Sequence, residues 1–122
     1  MLNALENVRR FRNERHWLHP HKEKDLALSI SLEAAELLEL FQWKTSEEAI
    51  AQKKKELAEE LADVFIYAYM LADNLDLDVD EIVEKKLQKN AERYPAQVLR
   101  EHPESYATLR ASSRAKLKHD QS

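Results

Sequence analysis

The chain has 122 residues, enough for one domain with a hydrophobic core and too few to expect two. Nineteen Lys and Arg against 23 Asp and Glu leave a formal net charge of −4, which argues against a general nucleic-acid-coating surface. There is no Cys and no Gly, so disulfides, thiolate nucleophiles and thiolate-held metals are excluded, as are the Gly-built phosphate loops of the Walker and dinucleotide-binding motifs.

Two consequences follow for chemistry. Any metal must sit among carboxylates, imidazoles and water, and any phosphate must be met by cationic side chains. The first twenty residues carry Arg9, Arg10, Arg12 and Arg15 without the continuous apolar core of a secretory signal. No run of eighteen uncharged apolar residues occurs, so the expectation is a soluble, cytoplasmic protein without a membrane span.

Helix formers dominate, and Pro20, Pro95 and Pro103 punctuate an all-α pattern of four main helices. Leu2, Leu5, Val8 and Phe11 recur at helical spacing and predict a first amphipathic helix over about residues 2 to 15. A polar link, RHWLHPHKEK, carries His16, His19 and His21. Asp25 reads as the N-cap of a second helix running to about Phe41, apolar nearly all round as buried helices are.

Thr45 or Ser46 with Glu47 and Glu48 marks a long third helix over residues 46 to 74, with a break expected near 52 to 55. Its second half, LADVFIYAYMLA, reads as the more buried. Asp78 caps a fourth helix that stops before Pro95. Residues 1 to 95 thus form the expected domain. Residues 96 to 122 hold five Lys and Arg against three Asp and Glu and read as a polar, basic tail, part helix and part disordered arm.

Within the second helix Glu33 and Glu36 stand three apart, and within the third Glu60 and Asp63 do the same. Such a spacing offsets two side chains by about 60° around the axis and about 4.5 Å along it, so each pair presents two acids to one side. Both pairs are embedded in apolar sequence, where bulk water is a poor remedy for their repulsion. If the two helices pack antiparallel, the four carboxylates converge on a cage of hard oxygens suited to Mg²⁺ or Mn²⁺. A di-iron site would use Glu-x-x-His motifs, which are lacking. Glu pairs at this spacing are also common on solvated faces, and Glu39 fits as ligand, supporting acid or surface residue.

On the fourth helix Lys86, Lys89, Asn90 and Arg93 share a face, with Tyr94 at its end. That face suits an oligophosphate, or is a solvated helix end favoured by the macrodipole. Trp17 and Trp43 lie near helix ends among polar residues, where a ring either stacks on a nucleobase or plugs the edge of the core.

Taken in order, Trp17, LALSISLEAAELLELFQWK, KKELAEELADVFIYAYMLAD and KLQKNAERYP resemble the MazG-like all-α nucleotide pyrophosphohydrolases, and among them the dCTP pyrophosphatase branch. The resemblance covers roughly residues 8 to 95. It implies Mg²⁺-dependent hydrolysis of a nucleoside triphosphate between the α and β phosphates, to a monophosphate and pyrophosphate, in a homo-oligomer arranged as a dimer of dimers.

By the same resemblance Glu33, Glu36, Glu60 and Asp63 correspond to magnesium ligands; on chemical grounds a carboxylate not fully committed to metal, Glu36 or Glu39, would take the proton from a bound water. Trp17, Trp43 and His21 fall where the base is contacted, and Lys89, Asn90, Arg93 and Tyr94 where the phosphates are. The chain departs from the pattern at Ser31, Leu32, Ala34 and Ala35, which replace a stretch that often contains Gly, and the basic tail has no counterpart. A broad NTP pyrophosphatase and a non-catalytic nucleotide-binding or oligomerisation module are the competing expectations.

Overall fold

In the computed structural model of the chain, residues 3–17 and 22–121 are described, with side chains to Lys116. Among them all regular structure is helical: α1 (Ala4–Glu14), α2 (Glu23–Glu39), α3 (Ser46–Asn74), α4 (Val79–Arg93), α5 (Ala96–Glu101) and α6 (Ser105–Gln121). No helix among the described residues is long and apolar enough to cross a membrane.

The helix starts follow local side-chain chemistry. Asn3 caps α1 by accepting a hydrogen bond from the Glu6 amide at 2.8 Å, and Thr45 caps α3 by accepting from the Glu48 amide at 3.1 Å. The second helix starts earlier than expected: its N-cap is Lys22, without a side-chain cap, and Asp25 lies in the first turn. There its negative charge favours the positive end of the helix dipole instead of capping it. A break in α3 falls at Lys53 (φ −128°, ψ 21°), inside the window that the sequence suggested.

Residues 1–79 form one compact unit, in which α2 packs along α3 and α1 packs on α3. A parallel return from α2 to α3 is impossible: the six-residue link spans at most about 20 Å, whereas α2 is about 25 Å long. The two helices are therefore antiparallel, the arrangement that the paired acids require.

With no Gly to take left-handed positions, the turns place His16, Trp43 and Asp76 at φ of 55°, 63° and 55°. Each costs about 1–2 kcal/mol relative to a right-handed conformation. The small interior centres on Leu26, Ala49, Met70 and Ala72. The expectation of an all-round buried α2 does not hold within this chain, because Leu28, Leu32 and Leu38 are exposed.

Residues 80–122 form a second compact unit, comprising nearly all of α4 with α5 and α6. The segment expected to be partly disordered is helical in both α5 and α6. Pro103 interrupts it, and Tyr94 meets Tyr106 with ring centroids 5.4 Å apart.

Candidate metal centre and nucleotide site

Antiparallel packing brings the acids of α2 and α3 together. One carboxylate oxygen from each of Glu33, Glu36 and Glu60 lies within 4.8 Å of the others. Asp63, one turn beyond Glu60, is outside this trio but close enough for its charge to act on Glu33 and Glu60. Glu36 is exposed, whereas Glu33, Glu60 and Asp63 are half-buried.

Glu33 Oε2 and Glu60 Oε2 are shut from solvent, and no hydrogen-bond partner among the described residues reaches either. The neighbouring carboxylates can serve them only by sharing a proton. Burial, proton-sharing contacts with Glu36 and Glu60, and the charges of Glu36 and Asp63 push Glu33 up to about 7. Burial also raises Glu60, assisted by Glu36 and Asp63 and opposed by its contact with Glu33.

These acids fit a hard divalent cation. The donor set is wholly carboxylate, contributed by two helices, and two of its oxygens are buried without a donor. Among the described residues no His joins the cluster, and the chain has no Cys, so these donors do not favour zinc or a Glu-x-x-His di-iron site.

Tyr67, four residues after Asp63, joins this environment. Burial, followed by the charges of Glu33, Asp63 and Glu36, raises its phenol. The sequence reading missed it, although Glu60, Asp63 and Tyr67 recur at offsets of zero, three and seven along one helix face.

The aromatic candidates occupy different environments. Trp17 packs edge-on against Phe11, with centroids 5.5 Å apart, and its amide donates to Arg12 O at 3.1 Å. Trp43 is 92% exposed on the α2–α3 turn. A cavity of about 500 Å³ beside the end of α2 is lined by Leu38, Glu39, Phe41 and Gln42 among others, which places Glu39 on that cavity and outside the carboxylate trio. His21 lies outside the described residues.

In the second unit Lys89 and Arg93 line a cavity of about 540 Å³ together with residues of α6. The Asn90 carbonyl accepts from the Tyr94 amide at 2.8 Å, and the Tyr94 ring packs on Tyr106. Sequence reading had no role for α6, yet Leu109, Ser112, Ser113 and Lys116 stand at offsets of zero, three, four and seven and share a face.

Comparison with known proteins adds an independent line. The sequence model of the MazG-like family matches residues 28–109. Human dCTP pyrophosphatase 1 is 39% identical over 115 residues, covering 87% of this chain and 68% of its own, and the mouse protein of that name is 37% identical over the same coverage. The crystal structure of a pyrophosphatase from Archaeoglobus fulgidus superposes with a TM-score of 0.69 at 45% identity, covering 75% of this chain and 88% of that one.

Proposed function

The chain belongs to the MazG-like family and is a nucleotide pyrophosphohydrolase, and we propose that it cleaves dCTP or a modified dCTP to the monophosphate and pyrophosphate with Mg²⁺ as cofactor. The observation that carries the metal part is the gathering of Glu33, Glu36 and Glu60 within 4.8 Å, with two buried oxygens that no donor reaches. The choice of dCTP rests on the mammalian relatives that bear that name.

Glu33, Glu36, Glu60 and Asp63 would hold the cation. When bound, it supplies charge neutralisation at the phosphates and acidifies a water. The protein's own residues do the rest. Glu36, the exposed member of the trio, is the carboxylate with room to accept a proton from the attacking water.

Lys89, Asn90, Arg93 and Tyr94 hold the phosphate chain, the two cations supplying the charge that Gly-loop amides provide elsewhere. Trp43, with Trp17 and His21, contacts the base, and the exposed Trp43 ring offers a complete face for stacking. The chain works as a homo-oligomer, a dimer of dimers in the cytoplasm, in which subunit contacts cover the exposed leucines of α2.

The test is pyrophosphate release from a panel of deoxy- and ribonucleoside triphosphates, with Mg²⁺ and with EDTA. Release from dCTP at a kcat/KM at least about tenfold above the other bases, abolished by EDTA, is the expected result. Equal rates for all bases would remove the dCTP assignment, and no release from any nucleotide would remove the proposed reaction altogether.

A further inference from the structure

The second unit holds a cavity that the carboxylate centre does not explain. Its volume is about 540 Å³, within the roughly 300–1,000 Å³ usual for small-molecule sites. Lys89, Glu92 and Arg93 form the α4 side, and Ser112, Ser113 and Lys116 line it from α6. Its charged side chains are therefore three cations and one carboxylate. Ser113 is only 9% exposed, and its hydroxyl is buried without a hydrogen-bond partner among the described residues. A buried hydroxyl in that state calls for an acceptor, and a cavity with a surplus of cations calls for an anion.

We propose that this cavity binds an oligophosphate and that α6 contributes Ser112, Ser113 and Lys116 to it. The proposal rests on the reading of Lys89 and Arg93 as phosphate-binding residues and extends it to a helix face lying beyond residue 109, where the match to the family ends. The phosphate oxygens accept from the two hydroxyls and from the Lys116 ammonium, while Lys89 and Arg93 meet them from the opposite helix. The ligand is the di- or triphosphate group itself, whether carried by a nucleotide or released as pyrophosphate. The 0, 3, 4, 7 spacing of Leu109, Ser112, Ser113 and Lys116 keeps this wall on one face of α6.

The experiment is calorimetric titration of the full chain with sodium pyrophosphate in EDTA, paired with steady-state kinetics on the nucleotide panel. It compares wild type, Ser113→Ala, Lys116→Gln and Lys116→Arg. Lys116→Gln is expected to weaken pyrophosphate binding about tenfold and to raise KM by a similar factor with kcat within about twofold, and Lys116→Arg to recover most of the loss. Ser113→Ala should weaken binding several-fold without lowering the thermal midpoint, because it removes a hydroxyl that has no partner among the described residues.

Unchanged pyrophosphate binding and unchanged KM in both Lys116→Gln and Ser113→Ala would overturn the role of α6, even with nucleotide turnover intact. A wild type that turns over no nucleotide but binds pyrophosphate in a Lys116-dependent way would overturn the enzymatic reading while supporting this one.

Discussion

The Arg12 guanidinium lies 2.6 Å from Asp73 Oδ2, while Arg9 holds Asp73 Oδ1 at 2.8 Å, so one carboxylate on α3 receives two cations from α1. Arg12 is almost wholly buried, and its Nη1 also donates to Asn74 Oδ1 at 3.1 Å. This contact fastens α1 to the end of α3. It is costly to break from one side only, because the partner left behind is a buried charge.

Asp73→Asn should therefore destabilise the protein by about 3 kcal/mol, read as a lower urea midpoint at pH 7. Burial alone would raise the Asp73 carboxyl, but the hydrogen bonds and charges of Arg9 and Arg12 outweigh it and hold it below its ordinary 3.8. A carboxylate with a depressed folded-state pKa contributes stability above its unfolded value, and that stability is lost as pH falls through the folded one. The gap between wild type and Asp73→Asn should thus narrow below about pH 4. A gap that persists undiminished at pH 2 would mean that the ion pair is not its source.

The carboxylate trio predicts a stability effect of opposite sign. Glu33→Gln removes one charge from a site where burial and neighbouring acids oppose ionisation. Without metal, its thermal midpoint in EDTA at pH 8 should exceed that of wild type. Mg²⁺ should raise the wild-type midpoint and leave the variant's unmoved, and turnover should fall by more than about 100-fold. A variant less stable than wild type in EDTA would show that Glu33 is a structural acid.

The pH dependence of that site follows from Glu33 at about 7. Its folded pKa is raised above the ordinary 4.5, so the metal-free fold binds a proton more tightly than the unfolded chain does. Stability of the metal-free protein should rise as pH falls from about 7 towards 4.5. Metal affinity should move the other way, because proton and cation compete for the same oxygens, and should weaken by up to about tenfold per unit below pH 7. Calorimetry with Mg²⁺ at pH 8, 7 and 6 reads this directly, and a flat profile would remove Glu33 from the ligand set.

How much of this was legible in the sequence depends on what each feature is made of. The paired acids and the antiparallel helices were legible because three-residue spacing and a short link leave little geometric freedom. Spacing and the family resemblance group Asp63 with the other acids, but which ligand atoms gather is set by rotation of α3 against α2, a property of packing. Arg12 and Asp73 are 61 positions apart and look like ordinary surface charges, so no local pattern joins them. The six-residue α5 and the following α6 were obscured by polar composition, which resembles that of a solvated arm, although the helical spacing from Leu109 to Lys116 was there to be read.

Trp43 separates binding from stability more sharply than any other residue. Its ring is 92% exposed and its backbone left-handed, so the fold gains little from the side chain and meets a conformational cost in holding it there. Replacement by Gly relieves about 1–2 kcal/mol of left-handed strain and adds about 0.5–1 kcal/mol of unfolded-state entropy. Trp43→Gly should therefore stay within about 1 kcal/mol of wild type in stability. Loss of stacking on a base, worth about 1–3 kcal/mol, should raise KM for the nucleotide by roughly tenfold or more. Trp17→Ala should raise KM as well, and should in addition lower stability because it strips the edge contact with Phe11. Urea midpoints and KM measured on both variants decide the matter: a Trp43→Gly enzyme with wild-type KM for every nucleotide would place the base elsewhere.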